Sequence, residues 1–139
     1  MLRRSQREDI AAIQRIRMAV RENRLGSTVI GDEDVFHALE VTGRGWVVEV
    51  DGEVVGFGIA NRETRNIWAL FIDPDHEGNG HGRLILDAMT HWLWKSGDGP
   101  IWLSTDPGTR AERFYATAGW TPAGTMPNGE VRFEKLNPG

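Results

Sequence analysis

The 139-residue chain contains no cysteine. That absence removes disulfides, zinc–thiolate sites and thiol nucleophiles together, and it fits a cytoplasmic protein. No apolar run approaches the roughly 18 residues that cross a bilayer. The opening Met1-Leu2-Arg3-Arg4-Ser5-Gln6-Arg7-Glu8-Asp9 lacks the apolar centre of a secretory signal. An excess of positive charge is missing too: 16 Lys and Arg face 20 Asp and Glu, so no overall field favours nucleic acid. Neither a nucleic-acid nor a membrane partner is expected. There is no internal repeat, low-complexity tract or linker, and tyrosine occurs once, at Tyr115. What is present is ordinary for a globular chain, 40% hydrophobic and 26% charged, and the length suits one domain over residues 1–139.

Ser5 and Glu8 have capping-box spacing, and Ile10, Ile13, Ile16 and Val20 follow at near-helical intervals. They predict a first helix ending near Asn23 to Gly26, with its arginines on a solvated face. A short second helix is predicted from Asp32, carrying Val35, Phe36 and Leu39. Gly45 to Val50 reads as a strand, and Asp51-Gly52 is a hairpin signal because both turn positions need positive φ. The return strand runs from Glu53 to Ala60. The next, Asn66 to Ile72, is apolar on both sides and therefore central. In Gly82 to Lys95, Ile85, Leu86, Met89, Trp92 and Leu93 form a helical stripe, with Trp94 on the opposite, exposed side. A short buried strand at Ile101-Trp102-Leu103 precedes a helix opened by a Thr109/Glu112 capping box. A last hairpin is predicted to turn at Asn128-Gly129. The order ααβββαβαββ, with a further short strand at Leu2 to Arg4, implies an α/β (α+β) class: a mixed sheet flanked by helices.

The most informative stretch is Phe71-Ile72-Asp73-Pro74-Asp75-His76-Glu77-Gly78-Asn79-Gly80-His81-Gly82-Arg83. A buried strand ends, a glycine-rich loop follows and an amphipathic helix begins. Such a loop aims backbone N–H groups at one point with the helix dipole behind them, which is chemistry for phosphate or pyrophosphate. A nucleotide P-loop would need Gly-Lys-Ser/Thr, yet no lysine lies between Glu53 and Trp94. A dinucleotide fingerprint would need glycine where Arg83 stands. A zinc-protease HExxH beginning at His76 would need histidine where Gly80 stands. The four histidines (His37, His76, His81 and His91) are too scattered to suggest a metal.

Glu77-Gly78-Asn79-Gly80-His81-Gly82 resembles the coenzyme A loop of the GCN5-related N-acetyltransferase (GNAT) superfamily, Gln/Arg-x-x-Gly-x-Gly/Ala, with Glu77 in place of the usual Gln or Arg. About thirty residues on, Ala111-Glu112-Arg113-Phe114-Tyr115-Ala116-Thr117-Ala118-Gly119-Trp120 resembles that family's Ala-x-x-Phe-Tyr-x-x-x-Gly-Phe helix, with Trp120 for Phe. Two motifs at family-like spacing are more specific than either alone, and the resemblance covers nearly the whole chain. It implies a mixed, mostly antiparallel sheet of six to seven strands flanked by about four helices, and transfer of an acetyl group from acetyl-CoA to a primary amine. Many members carry an asparagine seven residues before the tyrosine. Here that position is Gly108, so the contact is either lost or passes to Asp106 or Thr109.

The resemblance further implies that Ile67 to Ile72 splays from its neighbour and offers amides near Phe71 and Ile72 to the acyl carbonyl. Gly78, Asn79, Gly80, His81, Gly82, Arg83 and Thr109 are then expected at the cofactor, and Tyr115 as general acid for the departing thiolate. Arg17, Arg21, Glu22, Asn23, Trp46 and Trp68 are candidate acceptor contacts. Arg17 and Arg21, if they face the pocket, would favour an acceptor bearing a carboxylate. No carboxylate lies on the central strand, which leaves Glu22, Glu63, Asp73 or a water chain as general base. The acceptor is expected to be a small molecule, with a protein or peptide amine, or a non-catalytic acetyl-CoA sensor, as alternatives. No metal is expected. An exposed Trp94 would mark an interface, and a homodimer is expected on that ground.

Overall fold

Asp51 (φ 52°) and Gly52 (φ 81°) both adopt the left-handed conformation that a two-residue hairpin requires. They join β2 (Gly43–Val50) to β3 (Glu53–Asn61), and Leu2–Arg4 forms a short β1 on the other edge of β2. β4 (Asn66–Ile72) returns antiparallel to β3, and β5 (Ile101–Thr105) runs parallel to β4. β6 (Thr121–Thr125) and β7 (Val131–Lys135) close the chain, giving the order β1-β2-β3-β4-β5-β7-β6. The helices are α1 (Ile10–Arg21), α2 (Asp32–Glu40), α3 (His81–Lys95) and α4 (Arg110–Thr117). The computed structural model describes residues 1–21 and 31–137, with Arg21 described by its backbone only. The mostly antiparallel seven-stranded sheet and the place of β4 at its centre agree with the sequence reading.

Two apolar clusters lie on opposite faces of the sheet, as strand alternation demands. One joins Ile85, Leu86, Met89 and Leu93 of α3 to Val55, Ile67, Ile101, Leu103, Tyr115 and Phe133. The other joins Ile10, Ile13 and Ile16 of α1 and Val35, Ala38 and Leu39 of α2 to Val47, Phe57 and Ile59. Each fully buried aliphatic side chain contributes about 1.5–3 kcal/mol. Gly58 lets α3 lie directly on β3: a Cβ there would come within 2.5 Å of Ile85 and 2.7 Å of Met89. This close seat fixes where α3 begins, and so where the glycine loop points.

Three local expectations are corrected. The first helical turn is a 3₁₀ turn at Arg7–Asp9. It is closed by Asp9, whose carboxylate accepts from the Gln6 amide at 2.8 Å, while Ser5 is buried beneath it. The capping pair is therefore Gln6/Asp9 rather than Ser5/Glu8. The last hairpin is wider than Asn128-Gly129 alone. Pro127 favours a four-residue turn in which the Gly129 amide donates to Met126, and only Gly129 takes positive φ. Trp94 is half-buried against the α3 cluster, so it does not provide the exposed aromatic behind the homodimer expectation. The expected end of the first helix, Asn23 to Gly26, lies outside the described residues. Among the described residues no helix is long and apolar enough to cross a membrane.

Candidate active site

The two middle strands part almost as soon as they meet. β4 and β5 share one ladder pair, Asn66 with Trp102, whereas each antiparallel neighbour pair shares three or more. From Ile67 onward the β5-facing edge of β4 has no ladder partner. β4 also carries a bulge: Ile59 pairs with Ala69 and Ala60 with Ile67, leaving Trp68 as the extra residue. The result is a groove of about 580 Å³ through the sheet, walled by residues 67–72 of β4 and by Leu103, Ser104 and Thr105 of β5.

Side-chain alternation separates its two mouths. Leu103 joins the cluster under α3, so Ser104 points to the face that carries α1. On the α3 side the groove is lined by His76, Glu77, Gly78, Gly80, His81, Gly82 and Arg83 of the loop and by Thr109, Arg110 and Phe114 of α4. On the α1 side it meets Val20, and Glu130 hydrogen-bonded to Ser104. Trp68 and Tyr115 also line it.

The loop has what a phosphate cradle needs. Gly78 (φ 80°) and Gly80 (φ 83°) are left-handed, and Gly80 is the N-cap of α3. No side chain caps that helix, and no acidic residue stands in its first turn. Among the described residues the amides of Gly78, Asn79 and Gly80 have no hydrogen-bond acceptor. Helix N-terminal donors left unpaired in this way suit an anion. Two cations flank them, each with a carboxylate partner: Arg83 with Asp87 at 3.1 Å, and Arg110 with Glu77 at 2.8 Å. Glu77 thus points at Arg110, not at the amides. Asn79 bonds back to the His76 carbonyl and does not line the groove.

α4 is capped by Thr109, which accepts from the Glu112 amide at 3.3 Å. The Glu112 carboxylate closes the cap one residue early, on the Gly108 amide. Thr109 and Asp106 both line the groove while Gly108 does not. Tyr115 is 7% exposed, with Phe114, Trp120 and Phe133 rings at 5.2, 6.1 and 6.2 Å. Its hydroxyl hydrogen-bonds to none of the described residues. Burial pushes the phenol well above its ordinary pKa, so the hydroxyl keeps its proton at neutral pH.

Not every candidate gathers here. Arg17 is buried and, like Trp46, does not line the groove. The Arg21 side chain, Glu22 and Asn23 lie outside the described residues. Glu63 sits in the β3–β4 turn and Asp73 accepts from the Asp75 amide, and neither lines the groove. Glu130 does, although sequence reasoning missed it. Its only signal was its place directly after Asn128-Gly129, and the partnership with Ser104 joins residues 26 apart. Among the described residues no cluster of His, Asp or Glu could hold a metal ion.

Similarity to known proteins follows this geometry. The ribosomal-protein-alanine N-acetyltransferase from Brucella melitensis superposes with a TM-score of 0.82 at 18% identity, over 99% of each chain. PaiA N-acetyltransferase from Thermoplasma acidophilum, solved in complex with coenzyme A, gives 0.81 at 15% identity over 99% of this chain and 98% of that one. YncA from Salmonella typhimurium, solved with its cofactor acetyl-CoA, gives 0.81 at 17% over 98% and 92%. No curated protein matches the sequence. At these identities the likeness is one of fold. The sequence profile of the Acetyltransferase (GNAT) family, however, matches residues 9–120, and the chain therefore belongs to that family of acyltransferases.

Proposed function

We propose that the chain transfers the acetyl group of acetyl-CoA directly to the primary amine of a small-molecule acceptor. The observation that carries this reading is the parting of β4 from β5 after one pair, with an unpaired amide cradle at one mouth and a buried, protonated tyrosine on the wall. The coenzyme A-bound neighbours of the same fold support the choice of donor. The thioester supplies the activated acyl group. The loop amides of residues 78–83, with Arg83 and Thr109 beside them, hold the pyrophosphate end. The β5-facing edge of β4 near Phe71 and Ile72 gives N–H groups to the acyl oxygen as negative charge grows there. Tyr115 passes its proton to the departing thiolate as the C–S bond breaks, and the proton that the amine sheds on forming the C–N bond returns to the phenol through water. Holding donor and amine in one groove supplies the largest gain, since it makes a bimolecular step effectively unimolecular.

Calorimetric binding of acetyl-CoA, together with coenzyme A release across amines, polyamines, amino acids and peptides, tests the reading. Binding with turnover of a small amine is the expected result. Turnover of peptides alone would move the acceptor to protein N-termini or lysines. Binding with no turnover would make the chain a sensor, and absence of binding would defeat the cofactor assignment.

A further inference from the structure

We propose that Glu130 receives the acceptor's ammonium group, and that the acceptor is a primary amine with an apolar body and no carboxylate beside the amine. This deepens the acetyltransferase reading and rests on it.

Glu130 stands at the mouth of the groove opposite the amide cradle. Val131 and Phe133 of β7 face the α3 cluster, and Ser104, Arg132 and Glu134 take the alternate face. The Glu130 carboxylate joins that alternate face, as its bond to Ser104 requires. One of its oxygens is fixed by two donors, the Ser104 hydroxyl at 3.1 Å and the Asn128 amide nitrogen at 2.9 Å. Its second oxygen has no partner among the described residues. A carboxylate with one oxygen anchored and the other open to a groove is a fixed acceptor for an N–H⁺ donor.

The surroundings decide what is attached to that nitrogen. Arg132, on this face of β7, stacks at 4.4 Å on the Trp102 ring and bonds Glu134 at 3.0 Å, so it is already engaged. A second carboxylate arriving on the substrate would meet Glu130 with like charge. Among the described residues the other walls at this mouth are apolar: Trp68, thrust out by the bulge and 37% exposed, and Val20 of α1, also 37% exposed. An aromatic or aliphatic body fits against them, with the cationic head on Glu130.

2-Phenylethylamine and phenylalanine differ only by the α-carboxylate, so they isolate this contact. We would measure coenzyme A release with both, and acetyl-CoA affinity by calorimetry, for the wild-type chain, Glu130→Gln and Ser104→Ala. The expected wild-type result is a kcat/KM at least tenfold higher for 2-phenylethylamine. Glu130→Gln should lower that value tenfold or more, chiefly through KM, with acetyl-CoA affinity unchanged. Ser104→Ala, which loosens the carboxylate, should move KM in the same direction by less. Equal use of the two amines, preference for phenylalanine, an unaltered Glu130→Gln, or acetyl-CoA binding without turnover of 2-phenylethylamine would each overturn the proposal while leaving the cofactor site standing. Failure of the wild-type chain to bind acetyl-CoA would instead remove the underlying reading.

Discussion

Tyr115 and Asp9 show how burial sets the properties of single residues in opposite ways. For Tyr115, burial alone raises the pKa above the free value of 10.0. The acid form is thus present throughout the working range, and the kcat profile should show no falling limb from tyrosine ionisation below about pH 10. A loss of kcat centred between pH 7 and 9 would assign the proton donor elsewhere. For Asp9, burial opposes ionisation, but two bonds from Arg3 (2.8 and 2.9 Å) and one from the Gln6 amide outweigh it. Its pKa falls below 3.8. A depressed carboxylate stabilises the fold above the unfolded-state pKa, and that stability is lost as pH drops through the folded value. Asp9→Asn should therefore cost about 1–3 kcal/mol at neutral pH and flatten the acid limb of stability below about pH 4. Denaturant titrations at several pH values would check this, and an unchanged acid limb would contradict it. Tyr115 was legible in the sequence because it is the single tyrosine and sits in a motif. Glu130 and the Gln6/Asp9 cap were not, since burial and a partner 26 residues away decide the first and a one-residue shift of the helix start decides the second.

At the scale of elements, the segment from β4 to α3 carries most of the chemistry. Gly80 is left-handed at the helix N-cap, and a Cβ built there meets nothing within 4 Å. Gly80→Val should consequently cost the free protein about 1–2 kcal/mol in backbone strain. It should weaken coenzyme A binding by about tenfold or more, because the new side chain fills the space an anion must enter. Calorimetry beside thermal unfolding separates the two effects, and full coenzyme A affinity in a folded variant would show that the amides are not the cradle. Arg65 holds the other end of α3, donating to the carbonyls of Leu93, Gly97 and Gly99. Strand and helix positions were readable from periodicity, as was the Asp51-Gly52 turn from its residue types. The bulge at Trp68 was not, because Asn66 to Ile72 reads as an uninterrupted strand and only pairing with β3 reveals the extra residue.

Across the whole molecule, the sheet is two ladders joined at one pair, and the α3 cluster spans the break: Ile67 lies on one side, with Ile101, Leu103 and Phe133 on the other. A ligand that fills the gap touches both halves and is absent from the unfolded chain. Coenzyme A at about 100 times its dissociation constant should add roughly 2.7 kcal/mol and raise Tm by roughly 6–12 °C. A thermal scan with and without coenzyme A would show this, and an unmoved Tm would mean the gap is not its site. The fold was legible from element order and two motifs. The width of the gap, the division into two mouths and the engagement of Arg132 by Trp102 and Glu134 depend on contacts across the sheet, which one sequence does not display.

The central claim is that this groove transfers an acyl group with Tyr115 as the acid. The most direct test is amine-dependent release of coenzyme A from acetyl-CoA by the wild-type chain and by Tyr115→Phe, side by side, with acetyl-CoA affinity measured for both. The account predicts release by the wild-type chain, and a kcat lower by about tenfold or more in the variant at unchanged affinity. Equal kcat in the two proteins would contradict it.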